Sequence, residues 1–402
     1  MAGLRRTCIV IAATLGLVVA APRWHQVPCT YQVGCAVLAN DTLGWASATA
    51  GSYLTGFLRY NGTDWTLTDT IRNQLIYDFS IVGGKAWAVG EQFNFPDGVV
   101  YRFDGTWRQQ PDPFDRTLQG VSFPCESLGF AGGASPVLHH PVMIFDRDSW
   151  RIDTTLTTRR IVLDLYATFP GKVIAVADSG AVFCWREGEW EEMRSHTTVN
   201  LRSIDMESNT EGWAVGERGT IVRCFKDTWA VAPSPTTRRL YSLSVAGTSG
   251  EAWAVGDSGT ILHMEMGSWR LDSFRPDPPH VPLFTVTFSS GTNGWAFGYT
   301  FSGEAVALHY YDDSTGVAEP GVATAALPDL VCYPNPLPAG RELTIRARPR
   351  TRLAVSDALG RIILRQITIN GTLSWPAEDA PAGCYFVRAE PGGWSVRVVK
   401  LN

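Results

Sequence analysis

Seven histidines are spread along the chain: His25, His139, His140, His196, His263, His280 and His309. None forms a His-x-x-x-His pair that one helix face could offer to a metal. The dyad His139-His140 sits in a loop, where neighbouring side chains of an extended segment point apart. It reads as a polar loop rather than a metal site. There is no Gly-x-Ser-x-Gly elbow, Walker loop or dinucleotide fingerprint. No catalytic, cofactor-binding or metal-binding residue is therefore assigned. Asp178, Glu217 and Asp257 fall at equivalent positions in three successive repeats. They read either as an acidic ring for a cation or sugar, or as turn residues recurring with the unit. Asp-Ser-Gly chemistry favours the turn.

Cysteine is equally unspecific. Removing a leader that contains Cys8 leaves Cys29, Cys35, Cys125, Cys184, Cys224, Cys332 and Cys384. In an oxidising compartment Cys29–Cys35 and Cys332–Cys384 are the plausible pairs, and an odd count leaves a free thiol. Cys125, Cys184 and Cys224 read as small buried side chains. No Cys-x-x-Cys spacing supports zinc or dithiol chemistry.

The elements that would position such residues are repeats. Trp45, Trp87, Phe130, Ile174, Trp213, Trp253 and Trp295 each sit in an apolar, Gly/Ala-rich motif of the kind Gly212-Trp213-Ala214-Val215-Gly216, at steps of 39 to 44 residues. A second series, Trp65, Trp107, Trp150, Trp190, Trp229 and Trp269, keeps phase with the first and follows polar turns such as Asp104-Gly105-Thr106. At fixed repeat positions these indoles are expected to pack between units rather than against a sugar. Each unit reads as four short strands, so the fold class is all-β, a seven-bladed β-propeller over 21–313. The seventh unit lacks a fourth strand before Asp312. Arg23-Trp24-His25 mimics Ser268-Trp269-Arg270, so residues 22–28 are expected to supply that closing strand and remove exposed sheet edges.

The termini carry addresses. Arg5-Arg6, an apolar run from Cys8 and small residues to Ala20-Ala21 describe a secretory signal peptide over 1–20. The run is too short to span a bilayer, and no transmembrane segment is expected in the mature chain. The chain has a net charge of −5. Residues 328–402 hold ten basic and six acidic side chains, so the body between leader and tail is strongly acidic. That disfavours nucleic acid, and no nucleic-acid partner is expected. Residues 314–330 read as a linker. Alternating apolar runs over 331–402 suggest a small β-sandwich.

Two resemblances follow from these motifs. The units with Gly212-Trp213-Ala214-Val215-Gly216 and Gly219-Thr220-Ile221, and with Trp253 and Gly259-Thr260-Ile261, resemble photosystem II assembly-factor-like repeat proteins. That resemblance implies the fold, not a role in photosynthesis. The tail looks like the C-terminal sorting domain of the type IX secretion system, an immunoglobulin-like β-sandwich. It carries Tyr333-Pro334-Asn335-Pro336, then Gly360-Arg361, then Gly383 and Tyr385, and finally Lys400. It departs from the family at Leu337 and Cys384. The resemblance implies the type IX machinery as a partner and a secreted or cell-surface location reached via the periplasm.

Units one to three carry four extra residues between second and third strands. These include Tyr53, Phe93, Phe95, His139 and His140, which are the candidate partner-binding residues. The expected function is an exported non-catalytic binding or scaffold propeller, monomeric and without cofactor, whose ligand is an extracellular protein or glycan. The alternative is an extracellular glycan-acting hydrolase with a propeller active site. A carboxylate pair facing the channel would favour the hydrolase; an aromatic-lined face would favour binding. A purely structural surface component is the third reading.

Overall fold

A computed structural model describes residues 22–311 apart from 52, 94, 112–115, 135–138, 169–170 and 247–249. In the tail it describes 330–333, 342–347, 352–357, 362–368, 372–376, 380–381, 383–390 and 395–400. The expected leader and most of the expected linker lie outside these residues. Among the described residues no helix is long and apolar enough to cross a membrane. The chain divides into two compact units, Met1–Ala323 and Thr324–Asn402.

The first unit is a propeller of seven four-stranded antiparallel sheets. Blades one to six are contiguous, running from the inner strand at the central channel to the outer strand. Blade seven takes Leu283–Ser290, Asn293–Tyr299 and Ala305–Tyr311 from one end of the unit and Arg23–Val27 from the other. The joining register runs from Arg23 opposite Tyr311 to Val27 opposite Ala307. Both chain ends of the propeller thus lie on the face opposite the turn Thr300–Glu304.

The repeat motif follows from packing. The second strand Ala252–Gly256 is buried along its whole length, with one side turned to each neighbouring blade. A Cβ on Gly216 would lie 2.0 Å from the Asn200 carbonyl oxygen, and one on Gly256 2.0 Å from that of Arg239, so the closing glycine is needed for backbone approach. Seven apolar clusters lie between neighbouring blades, and each holds a tryptophan of the phased outer series or, at the last junction, Trp24. Trp45 of blade one meets Trp107 of blade two at 4.8 Å, and Trp213 meets Trp269 at 5.4 Å, both edge to face. Each such indole removes on the order of 3–5 kcal/mol if truncated.

Two expectations need correction. The extra residues of blades one and two do not lengthen a loop: Leu43–Gly51 and Lys85–Gln92 are longer strands than Ala252–Gly256, and only two residues separate each from the next strand. The added residues pair, so these hairpins project further, by about 3.3 Å per added pair. Cys29 and Cys35 do not form a disulfide. Cys29 Sγ donates to the Tyr31 carbonyl at 3.2 Å, while Cys35 Sγ lies 3.1 Å from Ser47 Oγ in the core.

The second unit has two antiparallel sheets: Leu330–Tyr333, Leu343–Ala347 and Thr372–Trp375 in one, Ile362–Ile367, Arg352–Asp357, Gly383–Glu390 and Ser395–Lys400 in the other. Leu343, Ile345 and Trp375 of the first share a core with Leu353, Val355, Tyr385 and Val387 of the second. Tyr333, Gly383, Tyr385 and Lys400 lie on its strands. Pro334, Asn335, Pro336, Gly360 and Arg361, like the side chain of Cys384, fall outside the described residues.

Candidate functional site: the channel and its mouth

Inner strands from all seven blades enclose a central cavity of about 690 Å³. Alternate inner-strand side chains point sideways and accept a backbone N–H from the next blade. Ser242 and Ser244 Oγ accept from Val286 and Phe288 at 3.1 and 3.0 Å; Thr285 and Thr287 Oγ1 accept from Ala36 and Leu38 across the closing junction at 3.2 and 2.8 Å. A buried amide left without an acceptor costs about 1–3 kcal/mol, so this girdle matters.

Three carboxylates occupy the same girdle: Asp78, Asp164 and Asp205. Each follows a blade whose matching residue is a poor acceptor or none: Cys35 before Asp78, Gly120 before Asp164, Tyr166 before Asp205. Asp164 Oδ1 takes its own strand's orphan, Leu165 N–H at 2.7 Å, while Oδ2 takes Ile204 N–H of the next blade at 2.9 Å. Asp205 does the same with Met206 and Val245, both at 2.8 Å. Asp78 Oδ2 accepts from Val121 at 2.8 Å. Two oxygens let aspartate serve two amides where serine serves one. Burial raises all three, Asp164 to about 6 and Asp205 to about 7, with the Asp164 charge adding to the rise of Asp78 and Asp205. These carboxylates stand in the channel wall, where a hydrolase would carry them, but they turn sideways into the girdle and their oxygens are engaged by backbone amides.

The mouth is built at the end where inner strands begin and second strands finish. Arg202 Nε donates to Glu217 Oε1 at 2.8 Å, and Arg239 Nε to Glu217 Oε2 at 2.6 Å. Burial pushes the Glu217 carboxyl up, but the two guanidiniums outweigh it and hold it below the ordinary carboxylate range. Both guanidiniums lie over Tyr241, at 5.8 and 5.6 Å from the ring centre, and the Tyr241 hydroxyl donates to Asp257 at 2.8 Å. An aromatic arc continues from Tyr241 to Phe284 at 5.3 Å and to Tyr299 at 4.6 Å. Asp178, by contrast, opens a tight turn: Ser179 and Gly180 have φ of 54° and 73°, Ala181 N–H returns to the Asp178 carbonyl, and Asp178 Oδ1 accepts from Ile161. The same turn recurs at Arg218-Gly219 and Ser258-Gly259. The residues at 178, 217 and 257 are thus turn residues, and two of them also tie the mouth.

The structure brings two sequence candidates together. Tyr53 and Phe93, both exposed, meet edge to face with ring centres 5.2 Å apart. Phe95 begins a strand, and its side chain lies outside the described residues. His139 and His140 lie between the second and third strands of blade three, Leu128–Ala134 and Val142–Asp146, and are held against the connection that leads on to blade four. His140 Nδ1 lies 2.9 Å from the Leu156 carbonyl, its own carbonyl accepts from Arg116, and Thr158 N–H donates to the His139 carbonyl. Sequence reasoning missed Asp164, Asp205, Arg202, Tyr241 and Phe301. The alternation Tyr241-Ser242-Leu243-Ser244 held the signal for an inner strand with a mouth residue at its start.

No protein-family model matches the sequence, and no curated protein matches it. Solved structures do resemble it in fold. One described as YCF48 bound to D1 peptide has 17% identity and a TM-score of 0.55, covering 72% of this chain and 96% of its own. YCF48 from Cyanidioschyzon merolae has 15% identity and a TM-score of 0.54, covering 72% and 99%. The RRP9 WD40 repeats have 10% identity and a TM-score of 0.55, covering 71% and 97%. At these identities the likeness concerns the fold, and it is to seven-bladed propellers of this kind that the first unit is similar.

Proposed function

We propose that the chain is an exported binding propeller that engages an extended polypeptide at the channel mouth, carried out by its tail acting as a type IX sorting domain of immunoglobulin-like form. The observation carrying the binding reading is the mouth itself: Tyr241, Phe284 and Tyr299 in continuous ring contact, with Arg202 and Arg239 clamped by Glu217. A rigid scaffold with an aromatic rim and fixed charges is how recognition sites are built. The neighbour described as bound to a peptide supports polypeptide over sugar. Arg23 and Tyr311, the two ends of blade seven's outer pairing, lie on the other face. Tyr333, Gly383, Tyr385 and Lys400 on the strands of the tail support the sorting reading.

The test presents the full chain to an array of 12-residue peptides and to soluble polysaccharides. Saturable peptide binding without cleavage, weakened at least tenfold by Tyr241→Ala, supports the reading. Release of reducing ends from a polysaccharide, abolished by Asp164→Asn, would replace it with the hydrolase.

A further inference from the structure

Three exposed aromatic side chains stand on consecutive blades at the same kind of connection, between second and third strands. Phe301 on blade seven is fully exposed at 105%, Tyr53 on blade one is 60% exposed and Phe93 on blade two is 49% exposed. Their backbones are held. Gln32 Nε2 of blade one donates to the Gly303 carbonyl at 3.0 Å, and Thr300 N–H donates to the Glu304 carbonyl at 2.9 Å. Asn73 N–H donates to the Tyr53 carbonyl at 2.9 Å, and Phe93 N–H to the Asn73 carbonyl at 2.7 Å. Tyr53 has φ of 60°, a left-handed conformation that a bulky residue adopts at a cost. Glycine or asparagine would turn the chain there more cheaply.

Charge around this strip differs from the rest of the face. Near the strip stand Glu91, Asp97 and Glu304, with Arg72 as the basic neighbour. Across the mouth, blades four to six present Arg159, Arg160, Arg202, Arg218, Arg238 and Arg239, against Asp178, Glu217 and Asp257. The face is therefore polarised, acidic and aromatic on one side, basic on the other. A basic segment is attracted to the first side and repelled by the second, which fixes where it lies as well as whether it binds.

We propose that Phe301, Tyr53 and Phe93 form a docking strip for an extended polypeptide segment that carries two or three large apolar side chains flanked by lysine or arginine. The strip deepens the polypeptide-binding reading and rests on it. Apolar side chains of the partner pack on the three rings, and its cations face Glu91, Asp97 and Glu304.

The experiment uses the full chain and three sets of synthetic 12-residue peptides: apolar with Lys and Arg, apolar with Asp and Glu, and apolar without charge. A mixture of soluble oligosaccharides is the fourth probe. The expected result is preferential binding of the basic set, weakened at least tenfold by Phe301→Ala and by the Tyr53→Ala/Phe93→Ala pair, with the thermal midpoint unchanged. Preference for the acidic or uncharged set overturns the charge argument. Binding that survives the strip variants but is lost with Tyr241→Ala overturns the strip and leaves the mouth reading standing. Oligosaccharide binding lost in the strip variants overturns the choice of occupant. Failure of every peptide to bind overturns both.

Discussion

Trp24 packs edge-on against Phe288, ring centres 5.6 Å apart, although 264 positions separate them in the chain. This contact joins the strand that begins the propeller to the blade that ends it. Trp24 is 3% exposed and shares its cluster with Trp253, as Trp65 does with Trp295 and Trp269 with Trp213 at other junctions.

Trp24→Ala should therefore cost as much as a core substitution, about 3–5 kcal/mol, and open the ring at one junction. Urea unfolding checks this. A loss below about 1 kcal/mol would show that closure does not depend on the indole.

The girdle carboxylates set a pH dependence. Burial raises Asp205 to about 7 in the folded chain, above its unfolded value near 3.9. The folded state then holds more protons between these values, so this group makes stability fall as pH rises from about 4 to 7 and leaves it flat above. His309, held at about 3 by burial and by His25, has the opposite slope below its unfolded value near 6.5, so the wild type must be compared with Asp205→Asn. The wild type should gain on the variant by on the order of 2–4 kcal/mol between pH 8 and pH 4.5. A pH-independent difference would contradict the assignment.

Thiol reactivity follows burial. Burial pushes Cys29 to about 11 and Cys35 to about 12, whereas the Ser127 hydroxyl draws Cys125 below the ordinary thiol value. Among the five propeller cysteines, native alkylation followed by peptide mapping should label Cys125 first. Earlier labelling of Cys29 or Cys35 would show that the ring opens.

Export is a separate matter. In a bacterium with a type IX system, truncation after residue 328 should leave the propeller folded and in the periplasm. Cell fractionation checks this, and undiminished secretion would remove the sorting role of the tail.

Much of the fold is legible because it is periodic: the phased tryptophans mark blade junctions, and Trp24 repeats their pattern out of place. Girdle logic is not legible locally. Whether Asp164 or a serine is needed depends on Gly120, some forty residues earlier in the neighbouring blade. Length alone does not separate a longer loop from a longer hairpin, which is why the residues around Tyr53 and Phe93 read as insertions. Phe301 escaped notice because it is a lone aromatic within the turn Thr300–Glu304; that turn comes beside blade one only when the ring closes, where Gln32 holds the Gly303 carbonyl. The histidine dyad stands out by residue type, yet it is engaged by Arg116 and by Leu156 and Thr158 of the connection that follows blade three.

The most direct test of polypeptide binding at the mouth is photo-crosslinking of an array-selected peptide to the full chain. A benzophenone amino acid replaces Tyr299 in one variant and Met266, 92% exposed on the opposite face, in another. Binding at the mouth gives crosslinking from position 299 and none from position 266. Crosslinking from 266 alone would place the partner on the opposite face and contradict binding at the mouth.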